Sequence, residues 1–366
     1  MTPSRKNIAI LGAGLLGRLL AVELANAGCQ VSVYDKSSPQ SPQSAAFVAA
    51  AMLAPLAESV STEESIVRMG YYSLVRWPKI LKLLKEDVFF QQNGSLIVWH
   101  QQDASSAQHF KNQLKKTTES LTHSHLVQNL NKLDLIQLEP QLSRQFEEGI
   151  FLPEEGQLDN RELLDGLLKK GIELGVQYQW QFAVNVEEFP TDTFDHVIDC
   201  RGLGAKSNVP DLRGVRGEVI RIYAPEVKLT RPVRLIHPKY PIYIAPKRNH
   251  VYVIGATEIE SEDDSPMSVR SALELLSAAY TVHSGFAEAR ILESGAQCRP
   301  SFKNNLPKIM LHKDHRFIHV NGLYRHGFLI APAIVDRLLN ILLEDRNPLA
   351  NQLDIEIQDL SYDHIC

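Results

Sequence analysis

The chain has 366 residues, enough for two domains with cores of their own, and 38 basic against 43 acidic residues give it a formal net charge of −5. That balance carries no electrostatic footprint for nucleic acid. The four cysteines, Cys29, Cys200, Cys298 and Cys366, are widely scattered; they show neither metal-ligand spacing nor a disulfide framework, so no metal and a reducing, cytoplasmic setting are expected.

In chain order, the first element is the run NIAILGAGLLGRLLAVELANAGCQVSVYDK, residues 7–36. Arg5 and Lys6 ahead of apolar residues 8–16 imitate an export leader. Arg18 and Glu23 interrupt the run, however, and it is too short and too charged to span a bilayer. Strand, turn, helix, strand is the better reading. NIAIL suits a buried parallel strand, and Gly12, Gly14 and Gly17 form GxGxxG. The first glycine allows a tight turn, the second lets backbone approach a pyrophosphate, and the third lets helix pack on strand. Gly28 ends the helix as a left-handed cap would. In QVSVYD, Asp35 lies 23 residues after Gly12, where a carboxylate can accept hydrogen bonds from a ribose. This is a dinucleotide site, and its residues do not separate NAD from FAD.

A polar, proline-bearing loop over residues 37–44 precedes AAFVAAAMLAPLAE, a small-residue run too short for a bilayer and suited to burial against a flat ligand. VFFQQNGSLIVW suggests two strands around an Asn93–Gly94 hairpin turn. Residues 101–125 are polar and expected to form a solvated helix and loop. Asp159 is placed to cap an amphipathic helix starting near Asn160, and FDHVIDCRGLGAKS is a buried strand entering a glycine turn. VRGEVIRIYAP, YPIYIAPKRNHVYVIGATEIE and AEARILESGAQCRPSF predict an antiparallel sheet, with a helix in SVRSALELLSAAYTVH. FIHVNGLYRHGFLIAPAIVDRLLNILLEDRNP closes the chain as strand, turn and apolar helix. The sum is a parallel α/β domain interrupted twice by an antiparallel insertion. No further run reaches the roughly 18 uncharged apolar residues of a membrane helix.

Five motifs in order, GAGLLGRLLAVELANAGCQVSVYD, SAAFVAAAMLAP, VRGEV, YIAP with GATE, and RP followed by YRHGFLIAP, resemble the FAD-dependent D-amino acid oxidase superfamily, closest to the glycine oxidase branch associated with thiamine biosynthesis. The resemblance runs almost end to end. It implies an α/β fold with a Rossmann-like FAD-binding domain (residues 1–85, 146–214 and 296–366) and a discontinuous antiparallel-sheet substrate domain (86–145 and 215–295), D-amino acid oxidase-like. FAD contacts are implied for Gly12, Gly14, Leu15, Leu16 and Gly17, for Asp35 and Lys36, and for Ser44, Ala45, Ala51 and Met52. Val184, Cys200, Gly202, Arg299, Arg325, His326, Gly327, Phe328 and Leu329 complete the set. Ala51 stands where the family usually has glycine. The backbone N–H groups of Gly327, Phe328 and Leu329 are expected at a helix start, where anions are stabilised, and the His326 side chain is expected to make a structural hydrogen bond.

The resemblance also implies the chemistry: a hydride from the substrate Cα to flavin N5, hydrolysis of the resulting imine, and reoxidation by O2 to H2O2. Such a reaction asks for orientation more than for a base. By family position Arg299 binds the substrate carboxylate, Arg325 and Tyr243 stand near it, and Met52 lines the pocket. Cys298 falls where sarcosine oxidases carry a flavin-linked cysteine, but it is expected to be a small buried side chain. The expected partners are glycine or another small amino acid or amine and O2, in a homo-oligomer, with no membrane and no nucleic acid. The alternative is a maturation flavoprotein oxidising a residue of a partner polypeptide. An RNA-modifying oxidase fits the acidic balance poorly, and the later motifs argue against an NAD-linked dehydrogenase.

Overall fold

The computed structural model describes residues 5–39, 43–121, 126–142, 145–237, 239–312, 315–344 and 346–360; Cys366 and parts of the loops at 37–44 and 101–125 lie outside them. The N-terminal apolar run is the middle of a seven-stranded sheet. Strand Asn7–Leu11 pairs in parallel with Gln30–Asp35 on one side and His196–Asp199 on the other. Gln177–Trp180 lies outside the first, while Phe317–Asn321, Lys308–His312 and Glu356–Leu360 follow the second. Only Lys308–His312 runs antiparallel to its neighbour Phe317–Asn321. Ile8, Ile10 and Leu11 are fully buried, as a parallel strand covered on both faces requires.

Helix Leu15–Asn26 crosses back over this sheet and packs against helices Asn160–Glu173 and Gly327–Leu343. Gly28 follows it at φ 95°, the left-handed cap expected. Asp159 caps the second helix by accepting from the N–H groups of Arg161 and Glu162. The stretch Tyr324–Leu343 has a mean hydropathy of 1.5 and is long enough to cross a bilayer, but 78% of it is buried inside the fold. It is a core helix. Helix Glu64–Leu84 lies along it, and Arg76 joins the two through Asp336, with Nε 2.6 Å from Oδ2 and Nη2 2.9 Å from Oδ1.

The second sheet has eight strands in the order Arg290–Ser301, Arg213–Tyr223, Val251–Gly255, Ile242–Pro246, Val233–Leu235, Ser95–Val98, Glu148–Leu152 and Gln128–Asn131. It is antiparallel, as expected, except where Val233–Leu235 runs parallel to Ser95–Val98. Helix Val269–Val282 closes the apolar face of this sheet. Glu148–Leu152 belongs to this sheet although it lies within the 146–214 segment assigned by sequence to the FAD-binding part. A small third sheet joins Met52–Leu53, Gly156–Leu158 and Phe90–Gln91.

Two expectations are corrected. The strands flanking Asn93–Gly94 both form, but they do not pair with each other: Phe90–Gln91 joins Gly156–Leu158, and Ser95–Val98 joins Glu148–Leu152. The turn is a corner between two sheets, because each strand finds a better-matched distant partner. Helix Ala104–Ser120 is not solvated all round. Ala107, Phe110, Leu114 and Thr118 are buried, a stripe at three- and four-residue spacing that anchors one face.

The Asp336 side chain is only 3% exposed. Replacing it with alanine leaves Arg76 without that partner, and we expect a loss of about 3 kcal/mol in urea unfolding, with the unfolding slope unchanged.

Candidate active site

The expected site residues come together around one cavity of about 850 Å³ that runs from the first glycine turn to the second sheet. At its nucleotide end the wall includes Gly12, Gly14, Leu15, Leu16, Asp35, Lys36, Ser44, Ala45, Val184, Cys200 and Gly202. Ala51, Met52, Tyr243, Arg299, Arg325, His326, Gly327, Phe328 and Leu329 line the rest. Gly17 stands behind the wall, which corrects its placement as a contact residue: a Cβ there would lie 1.9 Å from the Gly12 carbonyl oxygen, so its missing side chain serves helix–strand packing.

The glycines divide into two kinds. Gly12 adopts φ 99°, and a Cβ on it would press within 3 Å of the Cys200–Arg201 backbone. Gly14 is different, since a Cβ there meets nothing nearer than Ser44 Cβ at 3.7 Å, and one on Gly327 only Leu15 Cδ2 at 4.0 Å. Protein packing does not demand glycine at either place, so the open space is available for a ligand to approach the backbone. Both precede or begin helices, Leu15–Asn26 and Gly327–Leu343, that carry no side-chain cap and no acid in the first turn. These two helix starts, without side-chain caps, face one cavity and suit an anion.

Asp35 does more than the sequence suggests. Its Oδ2 accepts from Ala13 N at 2.6 Å and its Oδ1 from Ser37 N at 2.7 Å, so it braces the glycine turn and keeps one lone pair per oxygen for a ribose. The Val184 carbonyl accepts from Arg201 Nη1 at 3.1 Å. Ala51 sits at φ 55°, a backbone region that costs a non-glycine residue roughly 1 kcal/mol, and its carbonyl accepts from Leu158 N.

The other end of the cavity is organised by a residue with no role assigned from sequence. Glu58, at the end of helix Pro55–Glu58, is 8% exposed. Its Oε1 accepts from the Tyr243 hydroxyl at 2.8 Å and lies 3.6 Å from Arg234 Nη1; its Oε2 lies 2.9 Å from Arg325 Nε and 3.7 Å from His326 Nδ1. Burial opposes its charge, but Arg325, Arg234, His326 and the Tyr243 hydrogen bond overcome that and hold its pKa down at about 2. Burial pushes His326 down to about 4, so it is neutral at physiological pH. Arg234 and Tyr243 face each other across adjacent strands, and Arg234 Nη1 donates to the Tyr243 oxygen at 3.0 Å. Arg325, in the turn Tyr324–His326, also donates to Glu258 Oε2 at 2.7 Å and to Ser61 Oγ at 2.5 Å.

Arg299 is placed differently. It projects from strand Arg290–Ser301, with Nη1 3.3 Å from the Arg216 carbonyl and Nη2 3.1 Å from the Thr257 carbonyl. Among the described residues no carboxylate lies within 4 Å of it. A Cβ on Gly217 would fall 2.2 Å from Arg299 Nη2 and 2.3 Å from Cζ, so the glycine of VRGEV is the floor under this guanidinium. Cys298, its neighbour, turns the other way and lies 3.6 and 3.5 Å from the carbonyls of Ser261 and Asp263. Burial raises its thiol pKa, which suits the expected inert side chain. Met52 lines the cavity while packing on the cluster of Val219, Ala245 and Val253.

Sequence reasoning missed Glu58, Arg234, Glu258 and Gly217. Glu58 and Glu258 were each visible as a single acid ending an apolar motif, APLAE and GATE. Nothing local in the sequence says what they face.

A Rossmann-type sheet with two uncapped helix starts, joined through one cavity to an antiparallel sheet bearing buried arginines, defines a dinucleotide-dependent enzyme. The FAD dependent oxidoreductase family, DAO, matches residues 7–338. A protein of Rhizobium etli named as the thiamine biosynthesis oxidoreductase ThiO is 34% identical over 93% of this chain and 97% of its own length. Iminodiacetate oxidase from Chelativorans sp. BNC1 superposes with a TM-score of 0.80 at 20% identity, covering 96% of this chain and 100% of that one. Glycine oxidase from Geobacillus kaustophilus does so with 0.78 at 23% identity, covering 98% and 96%. The chain belongs to the DAO family of FAD-dependent oxidoreductases, and its likeness within the family is to ThiO and glycine oxidase. The residues present fit FAD: the space left by Gly14 and Gly327 and the two helix starts suit its anionic groups.

Gly17→Ala should fail to give soluble folded protein, whereas Gly14→Ala should leave the unfolding midpoint of FAD-free protein within about 0.5 kcal/mol and weaken FAD binding at least tenfold by fluorescence titration. Glu58→Gln should cost about 3 kcal/mol at neutral pH, since it leaves two buried guanidiniums underpaired. Because the pKa of Glu58 is depressed from 4.5 to about 2, its contribution is full above pH 4.5 and lost as pH falls towards 2. The stability gap between wild type and variant, measured by denaturant unfolding, should therefore shrink through that window.

Proposed function

We propose that this enzyme oxidises glycine or another small amino acid or amine in the cytoplasm, giving an imine that water hydrolyses. The observation that carries the reading is Arg299, a guanidinium facing the cavity without a carboxylate partner. Two of its five N–H groups are used by the Arg216 and Thr257 carbonyls. One on each terminal nitrogen remains, which is the fork a substrate carboxylate accepts from.

FAD, when bound, supplies the hydride acceptor and passes the electron pair to O2 as H2O2. The chain supplies orientation. Arg299 anchors the carboxylate, Gly217 keeps the guanidinium in place, and Met52 limits the space on the other side. Tyr243 already donates its proton to Glu58 and accepts from Arg234, so it has only a lone pair left, which suits the substrate N–H rather than its carboxylate. Glu58 at about 2 and His326 at about 4 are poor proton acceptors at neutral pH, so catalysis rests on position and not on a protein base. The ThiO likeness supports a role for the imine in thiamine biosynthesis.

Anaerobic mixing with glycine, sarcosine and D-alanine should bleach the flavin, and Arg299→Ala should raise the KM of the best of them at least tenfold, roughly 1.4 kcal/mol of binding. Bleaching only in the presence of a partner polypeptide would point to the maturation reading instead.

A further inference from the structure

The cavity contains a second guanidinium beside Arg299, and its neighbours decide how many acid groups a substrate can bring. Arg325 is already held by three groups: Nη1 donates to Glu258 at 2.7 Å, Nη2 donates to Ser61 at 2.5 Å, and Nε lies 2.9 Å from Glu58 Oε2 as an ion pair without hydrogen-bond geometry. Around Glu58, Arg234 and Arg325 are paired with Glu58 and Glu258. Arg299, in the same cavity, has no carboxylate within 4 Å among the described residues.

The two acids are not equivalent. Glu58 is 11% exposed in its side chain and is also held by Tyr243 and Arg234. Both line the cavity, but Glu258, just beyond strand Val251–Gly255, is the more open of the two, with its side chain 34% exposed. It is the partner of Arg325 that a ligand can reach.

We propose that Glu258 is a specificity-determining residue that restricts the site to substrates with one carboxylate, by occupying the guanidinium that a second carboxylate would need. The proposal rests on Arg299 being the clamp for the first. A diacid amine would have to share Arg325 with Glu258, bringing two like charges together, or displace Glu258 from its ion pair. A monoacid meets neither obstacle. Glu258 acts through Arg325 and need not touch a small substrate.

The test compares FAD-loaded wild type with Glu258→Gln and with Glu258→Met, which fills similar space without charge. Dissociation constants for glycolate and malonate are read from perturbation of the flavin spectrum, and kcat/KM is measured for glycine and iminodiacetate. The expected result is that both variants shift the affinity ratio towards malonate by tenfold or more, and the turnover ratio towards iminodiacetate in the same direction. Wild type that binds glycolate, with both ratios unchanged in the two variants, overturns the proposal and leaves the clamp intact. Wild type that binds neither acid overturns the clamp reading and this proposal with it.

Discussion

A carboxylate removed from water has to be surrounded by positive charge and hydrogen-bond donors, or it does not stay ionised. Glu58 imposes that condition on three regions of the chain at once. Arg234 and Tyr243 come to it from facing strands of the second sheet, and Arg325 comes from the turn before the last core helix. The Glu58 helix is itself tethered by Ala57 N donating to Glu155 at 2.8 Å. With Arg234 and Arg325 drawn to Glu58, Arg299 stands in the same cavity with no carboxylate within 4 Å among the described residues.

The nucleotide end is built by the opposite device. There the protein omits atoms: Gly14 and Gly327 leave space that no neighbour uses, and two helices begin without caps. Backbone N–H groups are rigid and cannot be screened by a mobile counterion on the same chain, so they suit a ligand whose anionic groups are fixed in position. One long strand, Arg290–Ser301, pairs along Arg213–Tyr223 in the second sheet, and its end meets the Gly202–Ala205 turn that follows a strand of the first, with Arg299 in the cavity wall between.

What could be read from sequence follows the range of the interactions. The GxGxxG turn, the strands beside it, the Asp159 cap and the left-handed Gly28 depend on neighbours within a few residues, so their signals are local. The Asn93–Gly94 corner and the half-buried face of helix Ala104–Ser120 went unread because both depend on which distant strand or layer lies alongside. The site shows the same division. Arg299, Arg325 and Tyr243 could be placed because short motifs surround them. Glu58, Arg234 and Glu258 acquire meaning only when distant segments meet, Glu58 and Tyr243 being separated by 185 positions and Glu258 and Arg325 by 67. Gly217 lay within the VRGEV motif, but its contact with the Arg299 guanidinium joins two strands and has no local signal.

The central claim is that Glu58 and Glu258 neutralise Arg325 and so leave Arg299 to take the acid group. A crystal structure of the FAD complex with glycolate bound tests it most directly. The glycolate carboxylate is expected on the two terminal nitrogens of Arg299, with Arg325 still paired to both glutamates. Density for the carboxylate on Arg325, with Glu258 swung away and Arg299 bound only to backbone, would contradict it.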